Sequence, residues 1–118
     1  MRVLVTGAAG LIGSWLSEAF MLAGHKVIAV DNLSGGELEN IPTWIPASVH
    51  LLKFQQVDLT DYDATAEVFM SQRPEIVYHL AACATEGAST LRPVKICQTN
   101  MMASMNVIEL GIKYGMKR

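Results

Sequence analysis

Apolar positions in this chain fall into short continuous runs, broken by glycine, proline and charged residues. Val3-Leu4-Val5-Thr6 is one such run and stops at Gly7, which predicts a strand buried on both faces of a parallel sheet. Ile12, Leu16, Ala19, Phe20 and Ala23 then recur at helical spacing, with Gly24 placed to end the helix. Lys26 to Val30 predicts a second buried strand, closed by Asp31-Asn32. Residues 32–48 hold Gly35, Gly36, Pro42 and Pro46, which predicts an irregular crossover with at most a short helix. Leu51 to Val57 contains a third strand, interrupted by Lys53, Gln55 and Gln56. Thr60 or Asp61 can cap a helix that reaches about Gln72 and stops at Arg73-Pro74. Ile76 to Leu80 predicts the fourth strand. From Pro93 to about Tyr114 the pattern predicts one long helix, with Val94, Cys97, Met101, Met105, Ile108 and Ile112 as its stripe. Ala103, Val107, Leu110 and Tyr114 widen that stripe, and a stripe so wide needs cover on more than one side. Its methionines read as packing filler.

The order β-α-β-loop-β-α-β-α implies an α/β unit: a parallel sheet with right-handed crossovers and flanking helices. A length of 118 residues suits one domain and buries roughly two-thirds of the unfolded surface. Charged residues make up 17% of the chain, below the usual quarter, and mean hydropathy is +0.29. Part of the apolar surface is therefore expected to need a covering partner. The formal net charge of −2 and the absence of any Lys/Arg cluster beyond Lys117-Arg118 give no electrostatic basis for binding nucleic acid or an anionic membrane. Cys83 and Cys97 lack a CxxC partner, so they read as buried free thiols rather than metal ligands. The apolar N-terminal run imitates a signal peptide, but its glycine spacing, Glu18, His25 and Lys26 fit a strand-turn-helix better. No segment has the ~18 uninterrupted apolar residues of a membrane span, and a cytoplasmic location is expected.

Chemistry concentrates at the strand ends. Gly7-Ala8-Ala9-Gly10-Leu11-Ile12-Gly13 joins the first strand to the first helix. Its first glycine permits a sharp turn, its second lets backbone approach a pyrophosphate at the helix N-terminus, and its third permits close helix–strand contact. Asp31 closes the second strand, where a carboxylate can accept both hydroxyls of an adenosine ribose. It also suits a turn, given Asn32 and Ser34-Gly35-Gly36, and the two roles are compatible. Asp58 after the third strand reads equally as an acceptor for an adenine amino group or as a neighbour of the helix cap, a role assigned to Asp61. His79-Leu80-Ala81-Ala82 ends the fourth strand with small residues that let a flat ligand lie close. His79 itself reads as a packed, neutral residue.

Thr6-Gly7-x-x-Gly10-x-x-Gly13, Asp31-Asn32-Leu33-Ser34, Asp58-Leu59-Thr60-Asp61 and His79-Leu80-Ala81-Ala82 together resemble the extended short-chain dehydrogenase/reductases. Ser89-x-x-x-Pro93, Asn100 and the ending Lys113 to Arg118 extend the match over the whole chain. Within that family, the NAD-dependent epimerases and dehydratases, the chain looks most like the UDP-glucose 4-epimerases. The resemblance implies a partial Rossmann fold with strand order 3-2-1-4, residues 1–118 being a truncated NAD-binding domain. It implies NAD as cofactor, with Gly7, Gly10 and Gly13 in the turn and the Leu11-Ile12 backbone on the pyrophosphate. Asp31, Asn32 and Ser34 would hold the adenosine ribose, and Asp58 and Leu59 would contact adenine. Leu80, Ala81, Ala82 and on to Ala84, with Asn100, would lie along the nicotinamide side. A nucleotide sugar is the implied substrate of the complete enzyme.

The family's acid/base is a Tyr-x-x-x-Lys on a later helix, and none of Tyr62, Tyr78 and Tyr114 has Lys four residues on. No catalytic or metal-ligating residue is therefore expected here, and the family's catalytic strand-helix and C-terminal substrate domain are expected to be missing. Ala84 and Glu86 follow the fourth strand where related epimerases can place a basic residue, which leaves the sugar open. A non-catalytic dinucleotide sensor or remnant is the rival reading, and a ligand-free structural fragment is a third. NAD is expected over NADP, because Asp31 would face the 2′-phosphate and Asn32 to Glu39 hold no Arg or Lys. Without a fifth strand, Ile76 to Leu80 is expected to be an open apolar edge and the chain to self-associate.

Overall fold

The structure, a computed structural model, describes residues 1–46, 49–84 and 86–118, and of residues 86, 88 and 89 the backbone alone. The side chains of Glu86 and Ser89 thus lie outside the described residues, as does the end of the 32–48 crossover.

Four parallel strands, β1 (Arg2–Thr6), β2 (Lys26–Asp31), β3 (Leu52–Gln56) and β4 (Ile76–His79), form one sheet in the order β3-β2-β1-β4. Val5 of β1 lies between Ala29 of β2 and Tyr78 of β4. The two central strands read as unbroken apolar runs because helices cover both faces. On one face Leu4, Ile28 and Val30 pack with Leu59, Val68, Phe69, Val107 and Leu110 beneath α2 (Tyr62–Gln72) and the last helix. On the other, Val3, Val5, Val27 and Ala29 pack with Met21 and Ile41 beneath α1 (Leu11–Leu22). Each fully buried Leu, Val or Phe contributes about 1.5–3 kcal/mol, so this double layer is the principal source of stability.

Asp61 caps α2 as expected, its Oδ1 accepting from the Ala64 N–H at 3.0 Å. The 32–48 crossover carries one short 3-10 turn, Leu38–Asn40, as expected. A short helix that the pattern did not signal, α3 (Glu86–Leu91), follows β4.

The apolar stripe expected on α1 is only partly its buried face. Leu16 and Phe20 are half-buried and pack against the core, but Ile12 is 70% exposed, and Ala19 and Ala23 also face solvent, while Gly13, Ser14, Ser17 and Met21 are buried. The helix start lies so close to the turn after β1 that a Cβ on Gly13 would sit 2.0 Å from the Gly7 carbonyl oxygen, so only small residues fit beneath it. The buried hydroxyls are satisfied within the helix, Ser17 Oγ donating to Gly13 O at 2.8 Å and Ser14 Oγ to Leu11 O at 3.0 Å.

The long helix expected from Pro93 to Tyr114 is one run in three segments: α4 (Pro93–Cys97), a π-helical turn (Gln98–Met102) and α5 (Ala103–Lys113). Of the wide stripe expected, the flank of Ala103, Val107 and Leu110 is buried, together with Asn106 and Gly111. The row of Met101, Met105, Ile108 and Ile112 faces outward, Met105 and Ile112 being 55% and 74% exposed. Asn106 interrupts the buried flank, and its Nδ2 donates to Leu59 O at 2.8 Å, tying α5 to the loop after β3.

The fourth strand is the edge of the sheet expected, but it is open only in part. Gly115, at φ +79, turns the chain back after α5 in a conformation that glycine adopts without strain. Lys117 N–H then donates to Glu75 O and Val77 N–H to Arg118 O, each at 2.8 Å. The Lys117 ammonium lies 3.4 Å from the Glu75 carboxylate. The start of the β4 edge is thereby paired.

Candidate functional site

The chain steps outward from β1 to β2 and β3, then crosses back to β4 on the other side of β1. A crevice opens at the carboxyl ends of the strands where such an order reverses. Here it is a cleft of about 400 Å³.

Its floor is the turn after β1. Gly7 takes φ +67, and a Cβ there would come within 2.8 Å of Ala81 N and 2.9 Å of Leu80 C, so a side chain is excluded by both conformation and space. Gly10 N–H closes the turn on Gly7 O at 3.1 Å, and α1 starts one residue later. With no side-chain cap at Gly10, the first N–H groups of α1 have no intrahelical acceptor, and the helix's positive dipole end starts beside Gly10, which lines the cleft.

Asp31, only 8% exposed, closes the cleft beyond β2. Its Oδ2 accepts from Ala9 N–H at 3.0 Å and its Oδ1 from Leu33 N–H at 2.8 Å. One carboxylate thus joins the glycine turn to the loop after β2 and retains lone pairs for a ligand. Leu33 is held at φ +59, a left-handed conformation that costs a non-glycine residue about 1–2 kcal/mol. The loop then folds over the turn: Asn40 Nδ2 and Glu37 N–H both donate to Ala9 O, at 2.8 and 3.1 Å. Asn32 Oδ1 accepts from Ser34 N–H at 3.0 Å.

At the β3 side, Asp58 Oδ1 accepts from the backbone N–H and the hydroxyl of Thr60, at 2.9 and 2.8 Å. Those bonds, the backbone one first, hold its carboxyl below the usual range, with smaller help from the Asn32 side chain and the Lys95 ammonium against desolvation. At the β4 side Leu80, Ala81 and Ala82 form the wall. Asn100, from the π-helical turn, clamps the next residue: its Oδ1 accepts from Cys83 N–H at 2.7 Å and its Nδ2 donates to Cys83 O at 3.1 Å.

Of the residues singled out from sequence, Gly7, Gly10, Asp31, Asn32, Ser34, Asp58, Leu59, Leu80, Ala81 and Ala82 meet in this one cleft. Leu11, Ile12, Gly13 and Asn100 do not line it. Leu11 and Ile12 offer backbone only, their side chains being exposed, Gly13 packs on Gly7, and Asn100 acts through Cys83. Sequence reasoning missed Gly35, Gly36, Thr60, Thr99 and Ala103. The signal for Gly36 was the glycine pair itself, since a Cβ there would strike Ala9 at 2.7 Å; Thr99 and Ala103 arrive from a distant helix and left none. His79 does not face the cleft. It is bridged between Thr6 and Ser104, and burial pushes its pKa down.

No tyrosine lines the cleft. Tyr62 Oη donates to Glu109 at 2.8 Å, Tyr78 packs on Phe20 at 5.1 Å, and Tyr114 lies under Arg73 at 4.8 Å. Among the described residues no three His, Cys, Asp or Glu side chains are grouped to hold a metal ion, and no helix is long and apolar enough to cross a membrane.

The model of the NAD dependent epimerase/dehydratase family matches residues 3–118. The UDP-glucose 4-epimerase of Caenorhabditis elegans is 31% identical over 99% of this chain and 36% of its own length. The crystal structure of the Thermotoga maritima UDP-glucose 4-epimerase with UDP-glucose superimposes with a TM-score of 0.90 at 38% identity, covering 99% of this chain and 36% of that one. That of the Thermus thermophilus UDP-glucose 4-epimerase in complex with NAD gives 0.86 at 38% identity, covering 98% and 35%. The chain thus spans about a third of the length of the relatives it matches.

Proposed function

We propose, because this chain belongs to the NAD dependent epimerase/dehydratase family, that its 118 residues form the NAD-binding portion of a nucleotide-sugar epimerase or dehydratase. The observation that carries this is the Asp31 carboxylate, bonded to the N–H of Ala9 inside the glycine turn and buried at the cleft's edge. It joins a pyrophosphate seat to a ribose acceptor in one rigid unit, which an ordinary turn does not need. In this reading the backbone of Gly10, Leu11 and Ile12 takes the pyrophosphate at the α1 N-terminus, with Gly7 and Gly13 allowing the close approach. Asp31, Asn32 and Ser34 take the adenosine ribose, and Asp58 and Leu59 take adenine. Leu80, Ala81 and Ala82 flank the nicotinamide, with Asn100 holding that wall from behind.

Bound NAD would supply hydride exchange with a nucleotide sugar. The residues here bind and orient it; they provide no acid/base, since no tyrosine reaches the cleft and His79 has both ring nitrogens engaged. We expect the chain to bind NAD and to give no turnover alone with UDP-glucose or UDP-galactose. Calorimetric titration with NAD and product chromatography test the two parts separately. Turnover by the 118 residues that is lost on mutating His79 or Tyr114 would overturn the second part, and no heat with NAD the first. The outward stripe of Met101, Met105, Ile108 and Ile112 would further promote association with a second copy.

A further inference from the structure

The end of β4 is tied to α5 and to the cleft wall through hydrogen bonds whose directions can be worked out from donors and acceptors alone. The Thr6 hydroxyl oxygen accepts from Ala81 N–H at 3.2 Å and, at 3.1 Å, from Leu80 N–H, which it shares with Thr6 O at 3.3 Å. Its own proton is free to go to His79 Nδ1, 2.8 Å away. From the other side, Ser104 Oγ donates its one proton to the Asn100 carbonyl at 2.7 Å. It can only accept from His79 Nε2 at 3.0 Å, so Nε2 must carry a proton. In a neutral imidazole that leaves Nδ1 bare, the acceptor that the Thr6 hydroxyl meets, so one state with its proton on Nε2 satisfies both ends.

The bonds run one way, from Thr6 through His79 and Ser104 to Asn100, and the Asn100 amide clamps both backbone groups of Cys83. Asn100 stands in the π-helical turn Gln98–Met102, a departure from α-helix that recurs at functional sites. Leu80 and Ala81, which donate to the Thr6 hydroxyl, and Cys83, which Asn100 clamps, line the cleft. We propose that His79 is a positioning residue: as the neutral Nε2–H tautomer it completes a one-way hydrogen-bond chain that fixes the Leu80–Ala84 wall, and through it the seat of the nicotinamide end of the cofactor. This rests on the NAD reading above. The groups facing the ring are the hydroxyls of Thr6 from β1 and Ser104 from α5, neither charged, and burial alone holds the imidazole below its ordinary 6.5. The chain of bonds is accordingly complete above pH 6.5 and is lost as pH falls through the lower, folded-state value.

Long-range nitrogen–proton NMR spectra of the imidazoles read the tautomer directly. His79 is expected to show Nε2 protonated and Nδ1 bare, and to stay so as pH falls through the ordinary imidazole value of 6.5. A proton on Nδ1, or titration at or above that ordinary value, overturns the proposal. Titrations of the wild type, Ser104→Ala and His79→Leu with NAD and with ADP-ribose, which lacks the nicotinamide, then test the function. Both variants are expected to weaken NAD roughly tenfold, the equivalent of a lost hydrogen bond, and to leave ADP-ribose unchanged. Unchanged NAD affinity, or equal weakening of both ligands, overturns the positioning role. A wild type that binds neither ligand refutes the NAD reading instead, and the tautomer and the amide exchange of Cys83 in Ser104→Ala still decide the hydrogen-bond chain.

Discussion

Substituting Gly13 with alanine tests whether the glycine turn and α1 are packed backbone on backbone. The added Cβ would lie 2.0 Å from Gly7 O, 2.7 Å from Gly7 C and 2.8 Å from Ala8 Cα. Real Cβ contacts essentially never fall under 3.0 Å, so the shortfall is about 1 Å against Gly7 O and about 0.2–0.3 Å against Gly7 C and Ala8 Cα, backbone atoms that cannot rotate away. Overpacking of this kind costs about 1–3 kcal/mol where side chains can yield, and a rigid backbone wall puts Gly13→Ala at or above the top of that range. For 118 residues the unfolding entropy is roughly 0.25 kcal/mol/K, so 3 kcal/mol lowers Tm by roughly 12 °C. Relief requires the start of α1 to move away from Gly7, which also displaces the N–H groups proposed to take the pyrophosphate. Gly10→Ala is the graded comparison, since its Cβ would meet only Gly7 O, at 3.3 Å. Gly35→Ala is the control, with nothing within 4 Å and no positive φ, and is expected to be neutral or slightly stabilising. Denaturant unfolding should rank the three variants Gly13, Gly10, Gly35 in severity, and NAD calorimetry on Gly13→Ala reads the displaced N–H groups. A Gly13→Ala protein as stable as the wild type, with unchanged NAD affinity, would refute the close-packing account of the turn.

Calorimetry with both dinucleotides should show NAD binding tighter than NADP, because a 2′-phosphate beside the buried Asp31 carboxylate sets like charges together at a cost on the order of several kcal/mol. Tighter NADP binding would contradict the ribose assignment. Asp61→Ala removes the α2 cap seen at Ala64 N–H and is expected to cost about 1 kcal/mol, read as a Tm lowered by about 4 °C; an unchanged Tm would show the cap to be idle. Sedimentation at high concentration should show association that Met105→Glu or Ile112→Glu reduces, and a monodisperse wild-type monomer would rule it out.

Strand positions, their order along the chain and the residues at their carboxyl ends were legible locally. A fully buried parallel strand needs an unbroken apolar run, and a turn at its end needs glycine or a short polar side chain, so Val3 to Gly7 and Lys26 to Asp31 announce themselves without any knowledge of their neighbours. The same logic found Asp61 as a cap and most of the cleft, since a sheet of order 3-2-1-4 gathers the ends of its strands at one edge. Hydrophobic periodicity was only partly right on the two helices that flank the sheet's centre. It found Leu16 and Phe20 of α1 and Ala103, Val107 and Leu110 of α5. But it counted the exposed Ile12 and Met105 with them, and passed over the glycine and two serines that α1, and the Asn106 that α5, turn inward. Those choices follow from distance and hydrogen bonding across the fold: α1 lies too near Gly7 for large side chains, and Asn106 is buried because the Leu59 carbonyl is there to accept its proton.

The pairing of Lys117 and Arg118 with β4, and the arrival of Thr99 and Ala103 at the cleft, join residues about twenty to forty positions or more from the strand ends they meet. No local pattern encodes such meetings. The state of His79 belongs to the same class. Its residue type and apolar strand suggested a neutral, packed ring, but which nitrogen holds the proton is decided by Thr6, 73 residues before it, and Ser104, 25 after. Those hydroxyls are committed by backbone partners of their own. Sequence determined which groups could exchange protons and hydrogen bonds; only the tertiary fold, by committing the single proton of Ser104 to the Asn100 carbonyl and setting the Thr6 hydroxyl against Nδ1, determined the direction in which they do.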